Sequence, residues 1–174
     1  MRSAIENFAR AGYDGVGVRQ IAHDAGVTAM LVNRYFGSKE QLFAEAVETS
    51  FATPVFVAQG SDDLVADTVR ALVARSKLGG DAPQPFLIML RSASNPDAVK
   101  IVREAIERHV GARLARQLDG RDRALRSEVL LALISGVLMM RGVVGTRALR
   151  DGKPANIAHI LEPVIAALVD DPGA

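Results

Sequence analysis

The sequence contains neither cysteine nor tryptophan, and the first of these absences excludes several classes of protein. Without cysteine, the 174-residue chain can form no disulfide framework, no thiolate nucleophile and no zinc–thiolate site. A charged start followed by an apolar segment and a small-residue cleavage site is also missing at Met1, so we expect a cytoplasmic protein.

Long apolar runs are scarce as well. The one that stands out, residues 129–144 (VLLALISGVLMMRGVV), is short for a bilayer span and carries Arg141 near its end. This composition predicts a buried helix and no association with a membrane.

A strong net charge of either sign is absent. The formal net charge of +1 excludes a general polycation that binds nucleic acid through its overall field. Any contact with nucleic acid must therefore be local. Because 49% of the residues are hydrophobic and 24% are charged, the chain can form a packed soluble core.

Strand patterns are nearly absent, and helical patterns separated by Gly, Pro, Ser and Asp follow one another along the chain. The sequence therefore predicts an all-α fold. The last helix carries an apolar stripe that must be buried, and Pro163 is expected to kink its axis. The predicted helices cover residues 1–11, 18–25, 28–36, 38–53, 61–78, 85–92, 95–120, 122–149 and 154–169.

The stretch IAHDAGVTAMLVNRYF, residues 21–36, contains two short helical patterns with a sharp break between them. Small side chains at Ala22 and Ala25 allow the helices to approach closely, and Gly26 supplies a positive φ in the turn. We interpret the stretch as a helix-turn-helix that reads DNA, with a simple helical corner as the alternative. Four apolar side chains are placed to fill the angle between the helices: Ile21, Val27, Val32 and Tyr35.

The segment FARAGYDGVGVRQIAHDAGVTAMLVNRYFGSKEQLFAEAV, residues 8–47, resembles the TetR family of transcriptional regulators. Its motifs Phe-x-x-x-Gly-Tyr, Ile-Ala-x-x-Ala-Gly-Val and Phe-x-Ser-Lys-x-x-Leu stand at that family's spacing. The resemblance implies a three-helix DNA-binding domain at residues 1–45 and a helical effector-binding and dimerisation domain at residues 46–174.

The resemblance also implies that the helix beginning at Thr28 is the recognition helix in the major groove. Arg19 would face the DNA as well, where it can pair with guanine or clamp a phosphate, and Lys39 corresponds to the family's phosphate-contacting lysine. The residues predicted to contact DNA are Arg19, Thr28, Ala29, Met30, Asn33, Arg34, Tyr35 and Lys39.

Several positions depart from the family pattern. Gly17, Leu31 and Asn33 stand where family members usually carry hydroxyl-bearing side chains, and Met30 stands where they usually carry a small residue. Asn33 can instead read adenine, and Met30 or Leu31 can pack on a thymine methyl. Tyr35, where His is frequent, can still offer its phenol to a phosphate.

Two-fold pairing is expected, because so small a DNA-binding domain contacts few base pairs. The last two helices are the predicted homodimer interface, with an intramolecular core as the alternative for their apolar stripes. An apolar effector is expected among the middle helices. Arg91 and Arg141 could each pair with a ligand carboxylate or with an acidic side chain of the protein. The candidate lining residues are Phe56, Phe86, Met89, Leu90, Arg91, Met139, Met140 and Arg141.

These features predict a ligand-responsive repressor that acts as a homodimer on a palindromic operator in double-stranded DNA. The main alternative is a helical small-molecule binding protein with a degenerate DNA-binding head. An enzyme is not expected, because His23, His109 and His159 lack a partner arrangement in sequence and no metal-ligand spacing is present. We therefore predict no catalytic residue, no metal site and no cofactor.

Overall fold

The structure is a computed structural model that describes residues 1–56, 63–77, 79–80 and 82–170. These residues form α-helices and two π-helical segments, with no strand among them, which confirms the predicted all-α class. The helices are α1 (Arg2–Ala11), α2 (Val18–Asp24), α3 (Ala29–Phe36), α4 (Lys39–Ala52), α5 (Leu64–Arg75), α6 (Gln84–Ser92), α7 (Pro96–Ala105), α8 (Ala112–Ala115), α9 (Arg123–Val137), α10 (Arg147–Asp151) and α11 (Pro154–Val169).

Two of the predicted long helices are interrupted. The predicted helix at residues 95–120 leaves the α-helical pattern after α7 for the π-helical segment Ile106–Gly111 and resumes as α8. The one at residues 122–149 changes at the π-helical segment Leu138–Val144 and stops at Gly145, whose φ of 68° is left-handed. Periodicity alone does not distinguish these wider turns from α-helix. Both ends of the predicted helix at residues 61–78 lie outside the described residues.

The chain divides into two compact units that differ from the predicted division after residue 45. The first unit comprises Met1–Thr53 and Gln84–His109, and the second comprises Pro54–Pro83 and Val110–Ala174. The first unit therefore joins α6 and α7 to the N-terminal helices. Which segments act as the functional domains stays a prediction.

An aromatic cluster forms the centre of the first unit. The rings of Phe8 on α1 and Phe43 on α4 meet edge to face with centroids 4.9 Å apart, and both side chains are fully buried. Tyr13 lies against Phe43 at the same 4.9 Å. This cluster fixes α4, the helix that follows the helix-turn-helix, against α1.

The end of α1 packs tightly on α6. Gly12 has a φ of 72°, and a Cβ atom placed on it would lie 2.2 Å from the carbonyl oxygen of Arg91. Nearby, the Arg91 guanidinium donates to the carbonyl of Ala9, and the Tyr13 amide donates to the Ser92 hydroxyl over 3.0 Å. Glycine is therefore required at residue 12 both by backbone conformation and by space.

In the second unit, α11 packs against α5 and α9. The predicted stripe of α11 is buried at Ile157, Leu161 and Ile165, but Ile160 and Val164 are exposed. The single chain therefore buries only part of this stripe, and burial of the rest in a homodimer interface stays a prediction.

The apolar run that begins in α9 has two faces as well. Leu130, Ile134 and Leu138 are buried, whereas several large apolar side chains are exposed, so the predicted buried helix is only half buried. By length and composition Arg123–Val144 could also cross a membrane, a weak criterion that core helices of soluble proteins meet too. The exposed apolar side chains of this stretch are Leu125, Val129, Met139, Met140, Val143 and Val144.

Candidate nucleic-acid interface

The turn between α2 and α3 has the geometry that the sequence predicts. Gly26 has a φ of 69°, its amide donates to the His23 carbonyl over 3.0 Å, and the Val27 amide donates to the Ala22 carbonyl over 2.9 Å. This pair of bonds is the Schellman arrangement, in which a left-handed glycine ends a helix. The Thr28 hydroxyl then caps α3 by accepting from the Leu31 amide over 3.3 Å.

The short helix α3 rests on one buried side chain and turns most of its surface to solvent. Val32 is only 7% exposed, whereas Met30 is 79% exposed and Tyr35 is 77% exposed. Val32 fills the angle against α2 as predicted, but Tyr35 does not, and Val27 is also exposed. These two side chains instead border an open apolar groove of about 340 Å³ within the first unit.

The residues predicted to contact DNA occupy α2, the turn, α3 and the start of α4. None of them is buried, so each has some surface available to a ligand. The exposed ones are Arg19, Thr28, Met30, Asn33, Arg34 and Tyr35, and the half-buried ones are Ala29 and Lys39. Their individual contacts to DNA stay predictions.

Lys39 is held at the start of α4. Its ammonium group lies 4.5 Å from the centroid of the Tyr13 ring, a cation–π distance, and the preceding Ser38 hydroxyl accepts from the Gln41 amide over 3.1 Å. Burial of Tyr13 and the nearby carboxylate of Glu40 raise the pKa of that phenol, so it remains a neutral ring beneath the lysine. The contact with Tyr13 thus holds the positive charge of Lys39 beside the aromatic cluster.

Asp24, at the end of α2, is the centre of a polar network that the sequence analysis did not identify. Its carboxylate accepts from the buried amide of Asn7 over 2.9 Å and from Arg10, both on α1, and from Gln20 on its own helix over 2.7 Å. The Nδ1 atom of His23 is also 3.3 Å from this carboxylate, so the two sequence neighbours are in contact. The four-residue spacing of Gln20 and Asp24 was visible in the sequence, but the partners on α1 were not.

The hydrogen bond from Asn7 is the largest cause of a lowered pKa at Asp24. Together with the bonds from His23 and Gln20, it lowers the pKa of this carboxyl from 3.8 to about 2. The carboxylate is therefore ionised at any neutral pH, and it fastens the helix-turn-helix to α1.

A second ion-pair group links α4 to the segment after α7. Glu48 accepts from His109 over 2.5 Å and from Arg108 over 3.0 Å, so the prediction that His109 has no specific partner is wrong. The His109 hydrogen bond is the main cause of a lowered pKa at Glu48. The partners are 61 residues apart in sequence, and no local pattern could have indicated them.

The predicted effector-lining residues fall in both compact units. Phe86, Met89, Leu90 and Arg91 lie on α6 in the first unit, with Phe86 buried. Phe56, Met139, Met140 and Arg141 belong to the second unit.

Within the second unit, Phe56 lines a surface groove of about 610 Å³ whose wall includes Arg70 and Arg75. Arg141 is buried and donates to the carbonyls of Val73 and Leu149 over 2.7 and 3.1 Å. Because these carbonyls lie in the last turns of α5 and α10, Arg141 caps two helix ends.

A sharply turned helix pair with its second helix exposed, attached to a long helical region, defines the class of helix-turn-helix transcriptional regulators. Comparison with protein families agrees with this class. The family described as bacterial regulatory proteins, tetR family, matches residues 1–46, and the tetracyclin repressor-like C-terminal domain matches residues 62–169. The chain belongs to the TetR family, as the sequence motifs predicted.

Individual relatives are more distant. The HTH-type transcriptional regulatory protein RaaS of Mycobacterium tuberculosis is 39% identical over 79 residues, a match that spans 45% of this chain and 30% of the length of that protein. A TetR-family regulator of Streptomyces coelicolor A3 is 26% identical with a TM-score of 0.55, over 97% of this chain and 91% of that one. The multidrug binding protein EbrR, solved with proflavin, is 22% identical with a TM-score of 0.61, over 97% and 96% of the two chains, and shares the fold.

Proposed function

We infer that the protein is a ligand-responsive transcriptional repressor that binds a palindromic operator as a homodimer. The observation that carries this inference is the surface of α3: a capped helix, anchored by Val32, that leaves Met30, Asn33 and Arg34 in solvent. Those side chains can reach base edges when the helix enters the major groove, and Arg19 and Lys39 flank it as partners for phosphates.

The homodimer is supported by apolar surface on the last long helices. Ile160 is 67% exposed, and Val164, Met140 and Val144 are exposed as well. Exposed apolar side chains in such numbers on two helices are typical of an interface, and two copies would form a four-helix bundle. Two-fold pairing also supplies the second recognition helix that a palindromic site requires.

A small apolar or aromatic molecule is the proposed effector. EbrR, which has the same fold, binds proflavin, and the Phe56 groove of this chain combines apolar side chains with Arg70 and Arg75. Among the predicted lining residues, Phe56 and Met139 have accessible surface, whereas Arg141 is engaged in capping.

In the proposed mechanism, effector binding changes the position of α4. Only Gly37 and Ser38 separate α4 from α3, so a tilt of α4 moves the recognition helix directly. A change in the separation of two recognition helices lowers the affinity for an operator of fixed spacing, and the effector then releases the DNA.

Selection of bound duplexes from a random DNA pool, followed by gel shifts, tests the proposal. We expect enrichment of a palindrome, binding that weakens steeply with salt, and release by a suitable aromatic cation or acid. The matched variant Asn33→Ala, at an exposed position, should lose selectivity but retain the fold. A protein that enriches no sequence would contradict the proposal and favour a small-molecule binding protein with a degenerate head.

The proposal places the protein in the cytoplasm, where the DNA is, and assigns it no catalysis. A screen for hydrolytic turnover with and without added divalent metal ions tests the second statement. Metal-dependent turnover at a rate above background would overturn it.

A further inference from the structure

The surface of α3 also indicates which bases the helix reads. Successive residues of an α-helix are about 100° apart, so Met30 and Arg34 lie about 40° apart and roughly opposite the buried Val32. Asn33 is beside Met30 on the same outward face. Met30 therefore lies at the centre of the exposed face near the beginning of the helix, with the amide of Asn33 beside it.

The first turn of α3 carries neither arginine nor lysine. Guanine is read most often by arginine or lysine, which donate to its O6 and N7 atoms. Thr28, Ala29 and Met30 occupy this turn, and the only cation of α3, Arg34, lies in its last turn. Recognition helices contact bases mainly through their N-terminal residues, and Arg34 is farther from that end than Met30 and Asn33.

The side chains that are present match the features of A·T pairs. Met30 is an exposed, flexible and polarizable apolar chain that can cover the C5-methyl group of thymine. Asn33 carries one donor and one acceptor, the complement of the N7 and N6 groups of adenine. Three residues of helix advance about 4.5 Å, so the two side chains can reach neighbouring base pairs.

We propose that α3 recognises a thymine methyl with Met30 and an adjacent adenine with Asn33, so that the core of each half-site consists of A·T pairs. This inference rests on the proposed function, because it names the bases that the same helix reads. Leu31 lies on a different side, along the apolar groove with Val32 and Tyr35, and does not take part in the base contact.

The test begins with the duplex selected from a random pool by the unmodified protein. Replacing each thymine in turn with deoxyuridine removes only the methyl group, and one position per half-site should bind about fourfold more weakly. Replacing the adjacent adenine with 7-deazaadenine should weaken binding roughly 5- to 100-fold.

Variants then assign each effect to a side chain. In Met30→Ala the deoxyuridine effect should vanish, and in Asn33→Ala the 7-deazaadenine effect should vanish, while Leu31→Ala should retain both. The three positions are exposed, and circular dichroism checks that each variant folds. An unchanged salt dependence of binding shows that the phosphate contacts persist.

The outcomes separate this inference from the proposed function. A selective protein whose half-sites have G·C pairs at their core, or whose deoxyuridine effect persists in Met30→Ala, overturns the assignment of A·T reading alone. Failure to enrich any sequence contradicts the regulator function itself.

Discussion

At the scale of single residues, Asp24 shows how polar contacts fasten the helix-turn-helix to α1. Its carboxylate joins α2 to α1 through Asn7 and Arg10, and the Ser3 hydroxyl adds a bond to the Ile21 carbonyl over 3.1 Å. Asn7 is buried, and a buried amide that loses its partner costs stability. The network therefore compensates for Gly17, which begins α2 without a side-chain cap.

We predict that Asp24→Asn lowers the midpoint of thermal unfolding at neutral pH, because the new amide nitrogen replaces one of two accepting oxygens. It then faces the donor of Asn7 on the Oδ2 side or that of Gln20 on the Oδ1 side. The pKa of Asp24 is lowered on folding from 3.8 to about 2, so the unfolded state binds more protons between these values. The stabilisation is fully present above about pH 5, and it declines as the pH falls through 4 towards 2.

The measurement is the difference in midpoint between the unmodified protein and Asp24→Asn, recorded by circular dichroism at a series of pH values. Glu6→Gln is the matched control, because its carboxylate is exposed and pairs with the exposed Arg2 over a long 3.9 Å. A difference that stayed constant down to pH 2 would contradict the assigned role of the Asp24 carboxylate.

At the scale of helices and turns, two left-handed glycines of the first unit have different surroundings. Gly26 lies in the turn before α3 with a φ of 69° and open space around it, whereas Gly12 faces the Arg91 backbone. At residue 26 glycine is required only for its positive φ. At residue 12 it is required for its positive φ and also because a Cβ atom would clash with the Arg91 backbone. Both were visible in the sequence as helix ends, but only the structure distinguishes them.

We predict that Gly12→Ala is much more destabilising than Gly26→Ala. Left-handed strain alone costs about 1–2 kcal/mol at residue 26. At residue 12, backbone strain of about 1–3 kcal/mol adds to an overpacking cost of about 1–3 kcal/mol against α6. Urea unfolding of both variants gives the two free energies, and equal losses would show that α1 and α6 do not approach as closely as described.

At the scale of the whole molecule, the exposed apolar side chains of α9, the following π-helical segment and α11 are the main feature that the single chain leaves unexplained. A helix of a monomer normally turns one stripe inwards and polar residues outwards. Here Ile160 and Val164 continue the buried stripe of α11 into solvent. The proposed homodimer would bury this surface.

We predict that Ile160→Asp or Val164→Asp converts the protein to a monomer in sedimentation velocity, because a carboxylate cannot be buried in an apolar interface without a partner. The same variants should lose affinity for a palindromic operator more than for a single half-site. His159→Asp is the control, since residue 159 is exposed on the opposite side of α11 from the buried stripe. If both the unmodified protein and Ile160→Asp sediment as monomers, the proposed interface is wrong.

The ends and caps of α2, α3 and α4 could be predicted from the sequence, because they depend on residues that are close together in the chain. Gly26 ends α2, Thr28 caps α3 and Ser38 caps α4, each through bonds within a few residues. The family motifs carried the same information, and the family assignment followed from them. Hydrophobic periodicity predicted the helices but not the π-helical turns within two of them. An α-helical turn and a π-helical turn place apolar residues on nearly the same face, so the sequence pattern does not distinguish them.

Contacts between distant segments needed the tertiary structure. The sequence by itself determined that the chain is all-helical, that its N-terminal helices form a helix-turn-helix, and that it belongs to the TetR family, since local backbone preferences and short motifs carry these properties. Only the folded chain decided that Asp24 binds Asn7, that Glu48 binds His109 and that Arg141 caps two helices. Side chains separated by tens of residues meet only after packing has fixed the directions of the helices that carry them.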